Sequence, residues 1–508
     1  GGALVREEVL AVRDVVLALL ALLVAGGATA AERPNIVFLL ADDLGYGDVG
    51  AYGQEMIATP SIDRMAAEGL LFTDHYAGHP TCRPSRLTLL TGQHTGHTAV
   101  STNGPNVLAA TDLTVAELAK QAGYVTGGVG KWTGGHATTT GHPNLQGFDF
   151  WMGYLDQADA HNYYPTHLWR NFERVRLPGN ELLDHPEARG RVSEKRVTYS
   201  HDVITDEALA FVRRHRDDPF LLHVHWAIPH VNNERGAILG DGQEVPDYGS
   251  YADRDWPKAE KGFAAMIERM DRDVGKILDL LGELGIAERT LVIFTSDNGP
   301  YHGTGHRVQF FDSNGVLSGQ KGNLKEGGIR VPMIARWPGT ITAGATTDHV
   351  SAFWDYLPTV CDLLGVEPPA KTDGISYLPT LLGEEQREHE YLFWRNGDRS
   401  LAVRAGKWKY FKLGLHHGLF DLSVDPGEQE NLSRRHPETL AELQRLAAEA
   451  VVPREPAVRT SDRDAPAPPA ILSYRHHGKD PIMPRLVALT LALGLLLPAL
   501  RCESGRQE

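Results

Sequence analysis

Two apolar runs in this chain end in acid or amide side chains: "NIVFLLADD" at residues 35–43 and "TLVIFTSDNG" at residues 290–299. Neither alternates apolar with polar residues, so each reads as a strand buried on both faces, the mark of a parallel sheet. The chain between them supplies the helices such a sheet needs. In "TPSIDRMAAEG" Thr59 is placed as N-cap, Pro60 opens the helix and Gly69 stops it. In "TVAELAKQAG" Thr114 and Glu117 have the spacing of a capping box. Strand "YVTGGVG", a helix over 201–216, strand "FLLHVHWA" and a long helix over 258–284 continue the alternation. The expected fold is therefore α/β, with a large, mostly parallel central sheet flanked by helices over residues 33–366.

Beyond about Gly365 the pattern changes. "VEPPAKTDG" reads as a linker or surface loop, and "EYLFWRNGDRSLAVRAGKWKYFKL" alternates apolar and polar residues as antiparallel strands do. The helical "PETLAELQRLAAEA" closes a small C-terminal α+β unit over 386–450. Residues 453–482, rich in Pro, Arg and Asp, read as a disordered tail.

Among 508 residues, 50 basic and 65 acidic side chains give a net charge of −15, which argues against non-specific nucleic-acid binding. Cys82, Cys361 and Cys502 make no disulfide framework. Cys361 sits in an apolar helical pattern and reads as a core residue. Val15 to Val24 followed by "GGATAAERPN" resembles a secretory signal over residues 1–31, cleaved near Ala30 or Ala31. Export to the periplasm or the outside is the expectation. The apolar run Leu486 to Leu500, broken by Pro498, reads either as a membrane anchor or as a second signal sequence starting at Met483.

The strand ends carry the first chemical clue. Asp42, Asp43, Asp297 and Asn298 follow apolar runs, and in open α/β sheets ligands bind outside the carboxyl ends of the strands. Converging there, three carboxylates would repel one another without a cation between them. Oxygen ligands without His or Cys suit Ca²⁺, with Mg²⁺ second. A plain strand-capping role for each pair stands beside this reading.

The second clue is "CRPSRLTLLTG". Pro84 suits a first helical turn and Gly92 a stop, so Cys82 and Arg86 share one face at a helix N-terminus. That end of a helix favours an anion. An inert thiol at a helix start is the plainer alternative.

"CRPSRLTLLTGQHTGH" resembles the signature of the sulfatase family, within the alkaline-phosphatase superfamily. "RPNIVFLLADDLGYGDVGAYG", "SDNGP", "GQKGNLKEGGIRVPMIARWPG" and "LFDLSVDPGEQENL" match further blocks of that family in order, over roughly Arg33 to Ala450. The resemblance implies hydrolysis of sulfate monoesters, aryl or carbohydrate, with Cys82 oxidised to formylglycine (3-oxoalanine) by a formylglycine-generating enzyme. It implies that Arg86 holds that residue, that Lys131 and Lys321 bind sulfate oxygens, and that His230 protonates the departing alcohol. Thr133 stands where the family commonly has a histidine, and His136 is the nearest substitute in sequence. His161, Tyr163, Tyr164, Trp169 and Arg170 are candidates for a sugar- or aryl-binding pocket, with packing as the equal alternative. His306 is the reserve candidate for the acid. Two other functions share the motif set: phosphonate or phosphodiester hydrolysis on the same scaffold, and silent binding of sulfated glycan.

Overall fold

Every residue of the strand Asn35–Asp42 is buried in the computed structural model, which describes residues 33–98, 100–104, 106–451 and the backbone of 471–473. The signal-like segment at 1–31 and the apolar run at 486–500 lie outside the described residues. Among the described residues no helix is long and apolar enough to cross a membrane.

Asn35–Asp42 lies between Thr290–Ser296 and Phe220–Pro229, parallel to both, with Leu39 opposite Phe294 and Val224. Val125–Lys131 and then Phe150–Tyr154 continue the parallel set. The sheet is mixed at its margins. Met333–Arg336 pairs antiparallel with Thr290–Ser296, and His167–Arg170 and Glu173–Arg176 form an antiparallel edge. Leu70–Phe72, Ala345–Thr347 and Ile471–Ser473 complete the eleven strands that the sheet has among the described residues.

Period-two alternation sends each strand's side chains to opposite faces. Ile36, Phe38, Leu40, Leu221 and Ile293 pack on one face against the helices Cys82–Thr91, Val115–Gln121 and Tyr356–Leu364. Trp226 points the other way, its indole N–H donating to Thr205 of the helix Ser200–Arg214 at 3.1 Å. The long helix Lys258–Glu283 covers that second face together with Pro60–Ala67. The Thr114–Glu117 capping box forms, with bonds of 2.9 and 3.3 Å. Thr59 precedes its helix without capping it; the hydroxyl donates to Asp63 at 3.0 Å instead.

Gly130 is required where it stands. Its φ is 101°, and a Cβ there would lie 1.9 Å from the carbonyl oxygen of His225 in the neighbouring strand. This close approach immediately precedes Lys131 at the strand's end.

The C-terminal unit is a four-stranded antiparallel meander, Leu392–Asn396, Ser400–Ala405, Trp408–Leu413 and His416–Asp421. Phe393, Val403 and Tyr410 face the helix Pro437–Glu449, whereas Leu392, Trp394 and Ala402 pack on Tyr76 and Trp354 of the larger unit. Lys409, with no exposed surface, reaches Glu326 at 2.7 Å and Glu428 at 3.0 Å. The segment 366–374 is tied down as it passes: Asp373 accepts from the backbone N–H of His94 at 2.9 Å.

Candidate active site

Two strand ends and one helix start are bonded into a single floor. Asp42 closes its strand, and Asp43 turns the chain in the left-handed region at φ 67°, a conformation that Asp tolerates better than most residues. The backbone N–H of Asp43 donates to Asp297 Oδ1 at 3.1 Å. Ser296 Oγ accepts from Leu44 N at 3.0 Å and donates to the Asn298 carbonyl at 2.9 Å. The expected helix runs Cys82–Thr91, ending at Gly92 with φ 68°. Ser85, in its first turn, accepts from Gly78 N at 3.1 Å and donates to the Asp297 carbonyl at 2.6 Å. Neither serine was singled out in the sequence, although Ser85 lies inside the cysteine motif.

The residues expected at the site converge on this floor. Cys82 Sγ lies 3.3 Å from Asp42 Oδ1 and 4.0 Å from Asp43 Oδ1. Arg86 donates through Nε to Asp297 at 2.8 Å, and its Nη2 lies 3.4 Å from Asp42. Lys131 reaches Asp42 at 2.5 Å and Lys321 reaches Asp43 at 2.7 Å. His230 Nε2 is 3.5 Å from Asp43 Oδ2, while Nδ1–H donates to the Val231 carbonyl at 2.6 Å. One ligand atom from each of Asp42, Asp43, Cys82 and His230 falls within 4.8 Å of the others.

Burial makes the charges interact strongly. Burial alone would push Asp42 up, but Lys131 and Arg86 hold it well below the usual carboxylate range. Asp297 is pushed up to about 6, by burial first and then by the charge of Asp42. Burial raises Asp43 as well, against the pull of Lys321. The Cys82 thiol is driven upward by burial, with Asp297 and Asp42 adding to it. A helix start alone would activate this thiol; burial, reinforced by Asp297 and Asp42, reverses the effect. His230 is held well below its ordinary range by burial and then by Lys321 and Lys131. The desolvated pocket and two ammonium groups thus disfavour the imidazolium form.

The donor set fits a divalent cation. Three carboxylates meet at the strand ends, and the buried Asn298 Oδ1 has no hydrogen-bond partner although its Nδ2 donates to Asp43 at 2.7 Å. An orphaned acceptor beside three acids suits a hard metal ion.

The remaining candidates separate. His161 joins the site: its ring stacks on His230 with centroids 4.8 Å apart and 16° between planes. The Tyr163 hydroxyl donates to the Ala227 carbonyl at 2.8 Å and also meets the His230 carbonyl, so it braces His230 from behind. Tyr164 packs on Tyr199 under Arg196, Trp169 lies under Arg174, and Arg170 pairs with Glu207. Trp169 and Arg170 stand on the antiparallel edge strand His167–Arg170, and the partners of all three side chains lie outside the acid cluster. His136 pairs with Asp156 at 3.2 Å on the rim. His306 is not at the site: it bonds Glu260 at 2.7 Å and stacks on Phe263 at 3.9 Å. Thr133 is buried next to Trp132. His225 was missed: it is buried beside Arg86 and Asp42, 3.2 Å from His223 within the strand.

The family model described as Sulfatase matches residues 34–366, and that of the N-sulphoglucosamine sulphohydrolase C-terminal region matches 320–450. This chain belongs to the sulfatase family. It is 32% identical to the N-acetylgalactosamine-6-sulfatase of Canis lupus familiaris, over 86% of this chain and 90% of that protein. It is 31% identical to the N-acetylgalactosamine-6-O-sulfatase of Bacteroides thetaiotaomicron, over 82% and 92% respectively. The crystal structure of Ps i-CgsB superposes with a TM-score of 0.71 at 28% identity, covering 84% of this chain and 94% of that one. As a sulfatase, the chain is a sulfuric ester hydrolase.

Proposed function

We propose that this exported sulfatase removes sulfate from a carbohydrate monoester, with residue 82 as formylglycine supplying the nucleophile. The observation that carries this reading is the position of Cys82 at a helix start, 3.3 Å from Asp42 and enclosed by Arg86, Lys131, His230 and Lys321. A plain thiol beside two carboxylates resists ionisation and makes a poor nucleophile. As a hydrated aldehyde, the residue offers two hydroxyls on one carbon, one for attack on sulfur and one for later release of sulfate. A separate formylglycine-generating enzyme is required to produce it.

Asp42, Asp43, Asp297 and Asn298 would hold one divalent cation, Ca²⁺ ahead of Mg²⁺, which when bound adds positive charge against the sulfate oxygens. Lys131, held by Asp42, and Lys321, held by Asp43, bring ammonium groups to the nucleophile's surroundings and offset charge on the transferred group. Arg86, fixed by Asp297, orients residue 82. His230, with Nδ1–H committed to the Val231 carbonyl, presents Nε2 to the cleft and protonates the departing alkoxide there. A bound sulfate ester brings negative charge beside this imidazole and raises its proton affinity toward the range an acid needs.

The relatives named for N-acetylgalactosamine 6-sulfate make that primary ester the first substrate to try. The test measures sulfate release from N-acetylgalactosamine 6-sulfate, nitrophenyl sulfate and an aryl phosphate diester. Release from the sugar sulfate supports the reading. Turnover of the phosphate diester alone overturns it.

A further inference from the structure

Two histidines stand in the strand Phe220–Pro229 with one residue between them, so His223 and His225 point to the same face of the sheet. The helix Tyr356–Leu364 covers that face. The two rings meet at 3.2 Å, His223 Nδ1 against His225 Nε2, and His223 Nε2 lies 3.0 Å from the Tyr356 hydroxyl. His225 in turn bonds the backbone carbonyl of Lys131, an oxygen that also accepts from Arg86 Nη1 at 3.1 Å. On the far side of the same peptide, the N–H of Trp132 donates to the Tyr154 carbonyl at 3.0 Å. His223, His225 and Tyr356 are each at most 1% exposed.

The hydrogens along this chain follow from one end. A carbonyl only accepts, so His225 carries its hydrogen on the nitrogen facing Lys131, and its Nε2 is left as an acceptor. His223 must then hold its hydrogen on Nδ1, which leaves Nε2 to accept from the Tyr356 hydroxyl. Every donor in the chain faces the same way, toward Lys131. Burial keeps all three groups neutral. It lowers His223 to about 3, holds His225 well below its ordinary range with help from His223 and Arg86, and raises the Tyr356 hydroxyl. Phe38 and Phe148 flank His223 with ring centroids 5.3 and 5.7 Å away. In such apolar surroundings a made hydrogen bond is strong and an unmade one costly.

From this geometry we propose that Tyr356, His223 and His225 are positioning residues that fix the Lys131 peptide, and through it the ammonium group that meets the substrate's sulfate. This rests on the sulfatase reading above. Lys131 ends its strand, so no further strand residue holds its backbone; the bonds from Arg86 and His225 on one side and to Tyr154 on the other do. A sulfate ester carries its charge before the reaction as well as during it. A looser Lys131 therefore weakens ground state and transition state alike, which raises KM and leaves kcat, whatever the departing alcohol.

The experiment uses the matured, full-length enzyme with N-acetylgalactosamine 6-sulfate and nitrophenyl sulfate. Tyr356→Phe removes one oxygen from the head of the chain and keeps the ring. It should raise KM about fivefold for both esters, the scale of one hydrogen bond, with kcat changed by less than about twofold. His225→Leu should raise KM further, whereas His225→Asn, whose amide can donate to the Lys131 carbonyl, should recover most of that loss. Nitrogen NMR of histidine-labelled wild type, with signals assigned through His223→Leu and His225→Leu, should show both rings neutral and protonated on Nδ1 at neutral pH. In Tyr356→Phe, His223 should become a mixture of the two tautomers. A wild-type ring protonated on Nε2 overturns the inference. So does an unchanged KM in Tyr356→Phe, a fall in kcat alone, or an Asn variant no better than Leu. Sulfate release by the wild type in the same assays shows that the sulfatase reading survives such a result. No release from either ester removes that reading and this one together.

Discussion

The guanidinium of Arg86 meets the carboxylate of Asp297 at 2.8 Å, with both side chains at most 1% exposed. This pair ties the helix of the nucleophile to the strand end that completes the acid cluster. Asp297→Ala should lower bound divalent metal, read by elemental analysis, together with sulfatase activity. It should also lower stability by about 3 kcal/mol, because a buried guanidinium loses its shorter carboxylate contact and keeps only Asp42 at 3.4 Å. Unchanged metal content in a folded variant would exclude Asp297 as a ligand.

Peptide mass analysis of active enzyme should find residue 82 changed by the exchange of H₂S for oxygen, the signature of an aldehyde. Cys82→Ala should abolish turnover while leaving the unfolding transition close to that of the wild type. Persistent activity in that variant would rule out this nucleophile.

His230→Ala should damage sugar-sulfate hydrolysis more than nitrophenyl-sulfate hydrolysis, by about 10²-fold, since only the basic sugar alkoxide needs the proton. Lys321→Ala should depress both substrates alike. Equal losses for His230→Ala would make it a sulfate-binding group instead.

Asp48 gives a prediction about stability. It is fully buried, without an ion pair among the described residues, and burial raises its carboxyl to about 6. Because the folded state binds this proton more tightly than the unfolded chain, the group costs stability as pH rises from about 4 to 6. Above that range the cost is constant, on the order of 3 kcal/mol. Asp48→Asn should keep the bond to Gly45 N, and its advantage over the wild type in urea unfolding should grow between pH 4 and 6, then level off. A difference that does not vary with pH would show that Asp48 does not titrate there.

What could be read from the sequence was what local pattern encodes. Asp42, Asp43, Asp297 and Asn298 were legible because an apolar run ending in acid is a local signal, as was the four-residue step from Cys82 to Arg86. Lys131 and Lys321 came only through the family resemblance, because nothing beside them in the chain marks a site. The pairing of His161 with Glu234 spans 73 residues and has no local trace. Tyr164 and Trp169 were ambiguous for a chemical reason: an aromatic side chain suits a sugar pocket and a sheet edge equally. The short antiparallel strand Met333–Arg336 escaped notice because four residues carry too little alternation to show a period. The depressed basicity of His230 depends on desolvation, which no sequence pattern reports.

Lys409 bears on how such an enzyme is inherited. It reaches from the C-terminal sheet to Glu326, which lies five positions after Lys321, and shares Glu428 as a second partner. A terminal sheet grafted from a relative without this lysine would take the ammonium group from Glu428 and leave Glu326 to Arg330 and the Tyr76 hydroxyl, in a buried seam next to the loop that presents Lys321. The small unit is thus poor currency for recombination between homologues. Gene exchange that conserves activity should carry the lysine and both glutamates as one block, with crossovers falling upstream of the loop rather than at the apparent join between the two sheets.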